Sequence, residues 1–529
     1  MKRIVWLTMV SMLLWCAAVQ GQRQAASLFE SDREMAAATP IDRAVLAQLK
    51  KLDIEPARLC SDAVFVRRVH LDVVGALPTA DQARAFLDDT SPDKRAKLID
   101  QLLDDPRFAD YQAMRWCDLL RVKAEFPINL WPNAAAVYHR YLHDSIRLNK
   151  RYDKLARELL TSSGSNFRVA PVNFYRALQG KSPEALAQVA TQTFMGVRIE
   201  AWPKDKREGV AGFFTYVGFK PTREWKEEIV YFDLVNAATD HADGKMPHAV
   251  LPEGTRVSLS PETDPRTQFA DWLIDKDNPY FARCMANRAW YWLMGRGIIH
   301  EPDDIRDDNP PVNPRLLEVL EHELVQSGWD LKHLYRVILN SQTYQLSPVP
   351  HGKHPDAAAN FAHYRIRRLE AEVLIDALCS ITGTTEEYSS QIPEPFTFVP
   401  PRHRTVTLPD GSITSPFLEM FGKPPRDTGM ADERNNKMTA AQALHLLNSS
   451  HVRQKLERGP GLRAVFKGAR RNPQKAVETM YLSILSRKPT VGELKRIGQH
   501  ARQDRRRGAE NLVDTAWALV NSTEFLYRH

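Results

Sequence analysis

The sequence predicts a mainly α fold, two helical domains carrying one or two short β-hairpins. Three observations predict it. Apolar residues recur three and four positions apart along most of the chain, which gathers them on one face of a helix. Proline and small polar residues stand where those patterns begin, and glycines where several of them stop. A Pro/Gly-punctuated stretch, 236–264, interrupts the pattern and separates an N-terminal domain over 41–235 from a C-terminal domain over 265–529.

In chain order, Ile41, Val45, Leu46 and Leu49 follow Pro40 at helical spacing, with Asp42 in the first turn. Thr79 opens a short amphipathic helix over 80–87. Ser91-Pro92-Asp93 starts another, with Leu98, Ile99, Leu102 and Leu103 on one face and Pro92 at its first position. Further helices are expected over 107–121, 134–148, 155–160 and 183–195, with a break at Ser162-Ser163-Gly164-Ser165. Within the linker, 249–259 turns at Glu253-Gly254 and reads as a hairpin. Leu316, Leu317, Val319, Leu320, Leu324 and Val325 mark a helix that stops at Gly328, and Leu331, Leu334, Tyr335, Ile338 and Leu339 mark the next. A second hairpin is expected over 405–414 around Asp410-Gly411, a two-residue turn pair. After Thr439 the pattern is helical again, and Thr490 with Glu493 forms a capping box.

The first 21 residues read as a cleaved export signal: Lys2 and Arg3 precede an uncharged apolar stretch from Ile4 to Val19, and Val19 and Gly21 are small residues suited to the cleavage site. That stretch is shorter than the roughly 20 residues of a membrane-spanning helix. Bulky Trp15 before Cys16 argues against a lipidated cysteine. Residues 22–40 are expected to be a flexible segment, and the mature chain to be periplasmic or extracellular, with no membrane span.

A hydrophobic content of 43% with 11 tryptophans suffices for a core, and the length suits two or three domains. The net charge of +7 is small beside 26% charged residues of both signs. The basic run from Arg502 to Arg507 reads as a solvated helix end, with attraction of phosphates or acidic polysaccharide as the alternative, and no nucleic-acid-binding motif accompanies it. Cys60, Cys117, Cys284 and Cys379 allow three disulfide pairings, among which spacing does not choose. Cys117 and Cys379 lie in apolar helical patterns and read first as small buried hydrophobes.

No Gly-x-Ser-x-Gly elbow, phosphate-cradling glycine loop or His-Glu-x-x-His helix is present. Two constellations remain. His139 and His143 share a helix face and offer two ligands to a metal, with packing histidines as the alternative. The segment Glu301-Pro-Asp303-Asp304-Ile-Arg-Asp307-Asp308-Asn309 crowds five carboxylates. Asp303, Asp304, Asp307 and Asp308 are candidate calcium ligands there, although the spacing is not that of an EF-hand and Arg306 offers partial neutralisation.

Several in-order stretches carry a family resemblance. They include Phe65-Val-Arg67-Arg68-Val-His-Leu-Asp72, Asn278-Pro-Tyr-Phe-Ala-Arg283, Asn287-Arg288-Ala-Trp290, Gly328-Trp-Asp-Leu-Lys332, Ser341-Gln-Thr-Tyr344, Arg367-Arg368-Leu-Glu-Ala-Glu372 and Gln442-Ala-Leu-His-Leu-Leu-Asn448. On these the chain resembles the planctomycete-type family of secreted, cytochrome-associated proteins built from two adjoining domains of unknown function. The resemblance implies no settled reaction. It does imply two cysteine elements that this chain lacks. A Cys-x-x-Cys-His haem-attachment pattern is common after a segment like Phe194-Met-Gly-Val-Arg-Ile-Glu200, where this chain continues Ala201-Trp202-Pro203-Lys204. A Cys-x-Cys is common before a Glu-Arg pair, and Met430 and Asp432 stand there before Glu433-Arg434. The two elements are expected to cooperate in relatives around one centre that this chain has given up, so no covalent haem is expected.

Two function classes follow. The first is an exported non-haem binding or scaffold protein that handles polysaccharide or organises partner proteins. In it Trp116, Trp131, Trp202 and Trp225 are candidate stacking faces, and Arg67, Arg68, Arg367 and Arg368 hold helices together. The second is a secreted hydrolase or accessory oxidoreductase acting on glycans through Asp303, Asp304, Glu372, Glu433 and Arg434. Convergence of those residues in one open cleft favours the enzyme; burial in separate ion pairs favours the binding protein.

Overall fold

The computed structural model describes residues 28–399, 402–469, 472–503 and 510–529. The expected export signal, and the part of the basic run from Asp504 to Arg507, lie outside the described residues. The longer helices of the first half are α1 (Pro40–Lys51), α2 (Asp62–Val73), α3 (Ala80–Asp88), α4 (Lys94–Asp104), α5 (Pro106–Leu119), α6 (Pro132–Arg147), α7 (Tyr152–Thr161), α8 (Pro183–Met195), α9 (Lys204–Ala211) and α10 (Leu234–Ala242). After them come α11 (Pro265–Leu273), α12 (Phe281–Met294), α13 (Pro314–Gln326), α14 (Leu331–Asn340) and α15 (Ala371–Thr382). The last group is α16 (Ala440–Asn448), α17 (Ser450–Arg458), α18 (Pro460–Ala469), α19 (Pro473–Leu485), α20 (Val491–Gln503) and α21 (Glu510–Val520). The fold is mainly α, as the periodicity predicts. Among the described residues no helix is long and apolar enough to cross a membrane.

Local chemistry explains the helix starts. Thr39 and Asp42 form a capping box around Pro40, each side chain meeting the other residue's backbone N–H. The second oxygen of Asp42 accepts from both the amide and the hydroxyl of Thr343, at 2.9 Å each, so the cap also ties α1 to the chain after α14. Thr490 and Glu493 make the expected reciprocal bonds ahead of α20. One start differs from expectation: α4 begins at Lys94, so Pro92 precedes the helix instead of occupying its first turn.

Three small antiparallel sheets complete the fold. The expected linker hairpin is present as β4 (Ala249–Val250) with β5 (Arg256–Val257). The sequence pattern misses a three-stranded sheet of β1 (Gly164–Ser165), β3 (Glu228–Phe232) and β2 (Val217–Pro221), whose first strand falls on the expected Ser/Gly break. The last sheet pairs β6 (Arg367–Arg368) with β7 (Tyr527–Arg528). The hairpin expected over 405–414 does not form. Asp376 on α15 accepts from the amides of Thr405 and Val406 and winds that arm into a 3-10 turn. Asp410 accepts from the amide of Ala124, and Thr414 pairs with Ser389, so each arm bonds to another segment instead of to its mate.

The apolar interior divides into two cores. The first draws on residues from Ile41 to Tyr364 and the second on residues from Leu369 to Leu526. Leu71 on α2, Leu77 in the loop before α3, and Tyr111 and Met114 on α5 belong to the second core, so the N-terminal region reaches into it. The interior therefore parts at 365–368, well after the 236–264 linker.

Buried arginines bind the two cores, as expected of Arg67, Arg68, Arg367 and Arg368. Arg67 donates to the carbonyls of Ile484 and Phe525, and Arg68 to those of His529 and Tyr344. Asp72, fully buried on α2, accepts from Tyr344 (2.8 Å), Tyr364 (3.1 Å), Arg367 (2.8 Å) and Arg528 (3.0 Å). Arg528 also pairs with Glu370. These four donors offset the cost of taking a carboxylate out of water, because an isolated buried charge is costly. Residues 28–39, expected to be flexible, are tied down in part: Ser31 bonds Leu59, Ala36 bonds Gln342, and Phe29 packs edge-on against His529.

Burial pushes the imidazole of His70 down to about 4 and that of His529 down to about 3, from an ordinary 6.5. Both are neutral in the fold at neutral pH. Below pH 6.5 the unfolded chain takes up these protons and the folded chain does not, so stability is complete above 6.5 and falls with pH. We predict that the urea midpoint of unfolding drops between about pH 7.5 and about pH 5. A midpoint that stays level over that range contradicts the neutral, buried assignment.

Candidate functional site

At the line where the two cores part lies a cleft of about 940 Å³. One wall is the C-terminal turn of α5, with Arg115, Asp118 and Leu119. Another is α12, with Arg288, Tyr291, Trp292 and Gly295, followed by His300, Glu301 and Asp303. The third comprises Arg365 to Arg368 with Glu370, and the fourth the loop from Gly429 to Met438. Helix α12 starts where Asn278 caps the amides of Tyr280 and Phe281 and stops at Gly295, whose φ of 75° suits glycine. A Cβ on Gly295 would come within 2.6 Å of Arg367 Nη1, so the glycine also leaves room for that guanidinium.

The candidate carboxylates are bonded to separate partners. Asp303 lines the cleft, but one oxygen meets Arg288 at 2.9 Å and the other accepts from the Ala431 amide at 2.7 Å. Arg434 also lines it and is committed to two acids, Glu372 (2.7 Å) and Asp118 (2.6 Å). Burial works against ionisation of Asp118, yet Arg434 and Arg426 hold its carboxyl below the usual range. Glu372 is buried outside the lining. Glu433 caps the amides of Asp427 and Thr428, and burial raises its carboxyl above the usual range. Glu370 has both oxygens occupied, by Tyr111 and Arg528. Burial raises it, but Arg528 and Arg115 bring it down to about 2. Acid–base catalysis requires a carboxyl free to exchange a proton at the substrate. In Asp118, Asp303 and Glu370 both oxygens are engaged.

The acidic loop is held by Arg306 and Asn309. Arg306 pairs with Asp304 (3.1 Å) and Asp308 (3.5 Å), and Asn309 donates to the carbonyls of His300 and Asp304. Asp307 is exposed and Asp303 turns away to Arg288, so the four acids do not converge on one point. His139 and His143 do share a face, with rings stacked 6.3 Å apart, but His143 is bonded to Asp110. Among the described residues, no group of three or more His, Cys, Asp or Glu side chains is arranged to hold a metal ion. Of the tryptophans, Trp116 is buried against Trp292, Trp131 leans on Phe396, Lys206 lies over Trp202, and Trp225 is exposed with Lys226 over its ring. None of the four lines the cleft.

Comparison with known families assigns both halves. Residues 40–201 match the family model PSCyt2, described as a protein of unknown function (DUF1549), and residues 265–501 match PSD1, a protein of unknown function (DUF1553). The chain belongs to the family that joins these two domains. No curated protein and no solved structure matches it. The two segments at which the family resemblance leads one to expect cysteine elements meet at one residue. Arg198, just before the haem-type position, donates to the Asp303 carbonyl, and the Asp303 carboxylate holds Ala431, between Met430 and Asp432. Thioether attachment of haem needs thiols. Neither segment has one, and the cysteines of the described residues are free, with Cys60, Cys117 and Cys284 buried. The donor set does not fit covalent haem.

Sequence reasoning finds Asp303 and Arg434 but misses Tyr291, Trp292, His300, Arg365, Ile366 and Lys437, which also line the cleft. The available signal was the run Arg365-Ile-Arg-Arg368, three cations with no acid among them.

Proposed function

We propose that the chain is an exported, non-haem binding protein that seats its ligand in the cleft between its two cores, handling polysaccharide or organising partner proteins. One observation carries this reading: a wide cleft is lined by aromatic and amide side chains while most of its carboxylates are consumed by ion pairs and backbone caps. Tyr291, Trp292 and Tyr527 offer ring faces, and Asn435 and Asn436 offer hydrogen-bonding groups, a combination suited to sugars. On this reading Asp303 takes the place of the lost cysteine centre as the tie between the 198 and 431 segments. A haem absorption spectrum in the purified protein would sink that part of it.

A glycan-acting hydrolase is the second reading. Asp432 supports it, being a cleft carboxylate with no ion pair among the described residues, next to the raised carboxyl of Glu433.

The test is a glycan array probed with mature protein, residues 22–529, and with Ile366→Trp. Ile366 lines the cleft and is 52% exposed, so a larger ring fills the space without entering either core. The variant is expected to lose at least about tenfold in affinity for any glycan the wild type holds. Unchanged binding by the variant, or no binding by the wild type, contradicts the proposal, and release of shortened glycans moves the balance to the hydrolase.

A further inference from the structure

The cleft is unbalanced in one direction. Arg365, Arg368 and Lys437 line it without a carboxylate partner among the described residues, against two acids with no arginine or lysine partner there, Asp432 and Glu301. Arg368 is only 1% exposed. Its Nε and Nη2 donate to the carbonyls of Asn436, Phe421 and Asn435, and its Nη1 has no acceptor. Nη1 of Arg367, against Gly295, and Nη1 of Arg115 are likewise buried without acceptors. Asn436 Oδ1 is a buried acceptor without a partner among the lining residues.

Leaving a guanidinium nitrogen unmet in a protein interior is costly, and three of them beside one opening suit an acceptor that enters from outside. A neutral sugar hydroxyl can serve one such donor. A planar carboxylate or a tetrahedral ester serves several at once and also offsets the charge. The positive end of the cleft continues beyond the lining. Burial lowers Arg296, with Arg365 adding to the effect, and burial likewise lowers His300, opposed by Glu301 but reinforced by Arg296 and Arg365. These cations therefore crowd one another around a single neighbouring acid, Glu301, which pairs with His300 at 3.3 Å.

We propose that the cleft holds an anionic group of its ligand, a carboxylate or a sulfate or phosphate ester, on Arg365, Arg367, Arg368 and Lys437. This rests on the cleft being the binding site and adds the chemical class of what it binds. Arg365 and Lys437, both exposed, receive the anion at the mouth. Arg367 and Arg368 fix it at depth through their unmet Nη1 groups, while Asp432 at the rim disfavours a second negative charge there.

The experiment is calorimetric titration of the mature chain with three probes: tri-galacturonic acid for carboxylates, inorganic sulfate for tetrahedral anions, and maltotriose as the neutral control. At least one anion is expected to bind about tenfold or more tightly than maltotriose and to weaken as NaCl is raised. Tri-galacturonic acid alone would assign a carboxylate, and sulfate alone an ester. The exposed double variant Arg365→Glu/Lys437→Glu, which disturbs neither core, is expected to lose at least about tenfold of that affinity. Arg368→Gln, with its fold checked by circular dichroism, should lose as much. Maltotriose binding as tightly as both anions overturns the proposal and leaves the cleft as a neutral-ligand site. Binding of none of the three overturns it and counts against the cleft as well. Anion binding that survives both variants places the anion elsewhere and also overturns it.

Discussion

Asp72→Ala is expected to lower the stability of the mature protein by about 3–5 kcal/mol, read as a fall in the urea midpoint at unchanged slope. The fully buried carboxylate accepts from two tyrosine hydroxyls and two guanidiniums that lie more than 270 residues away in sequence. Removing it strands Arg367 and Arg528 indoors, and the loss is that of uncompensated buried charge more than of any single bond. Because β7 carries Arg528 and β6 carries Arg367, the same change also loosens the sheet that closes the seam. Asp308→Ala, an exposed acid on the loop of α12, is the matching control and should stay within about 0.5 kcal/mol of wild type. A variant at Asp72 as stable as that control would contradict the network described here.

The second large effect is at Arg434. Its guanidinium bridges Glu372 on α15 to Asp118 on α5. Arg434→Met leaves both acids without it, although Asp118 keeps Arg426 at 2.8 Å, and should cost about 3–5 kcal/mol. Adding Glu372→Leu removes one stranded charge, so the double variant should recover part of the loss, with a coupling of about 1–3 kcal/mol in the cycle. A catalytic Arg434 and Glu372 would behave otherwise: the single variants would keep their stability and lose turnover. Urea unfolding of the four proteins in the cycle separates the two accounts.

Much of the helical architecture is legible in the sequence because its signals are local. Thr39 with Asp42, Ser182 with Pro183, and Thr490 with Glu493 announce helix starts within a few residues of themselves. The 405–414 segment is misread for the opposite reason. Asp410-Gly411 is a local turn signal, but the bonds that decide its conformation come from Asp376 and Ala124, far away in sequence. The β1 strand is hidden in the same way, since two residues pair only because Ile229 and Val230 lie opposite them.

The site is partly legible. Charge clustering picks out Asp303 and the family resemblance Arg434, and the structure brings both to the cleft, but no local pattern reports that Arg288, Ala431, Asp118 and Glu372 occupy them. The arginines that lack partners are invisible for a related reason: an unmet donor is defined by everything around it. Arg367 and Arg368 read as helix-holding in sequence, and both make such ties in the structure. The same two side chains each keep one nitrogen unmet among the residues that line the cleft.

The most direct test of the cleft as the binding site is hydrogen–deuterium exchange of the mature chain with and without saturating tri-galacturonic acid. The account predicts slowed exchange together in three stretches distant in sequence, around Tyr291 to Glu301, Arg365 to Glu370 and Gly429 to Met438, because they meet only at the cleft. Protection confined to the exposed face of α20, or unchanged exchange in all three stretches, would contradict it.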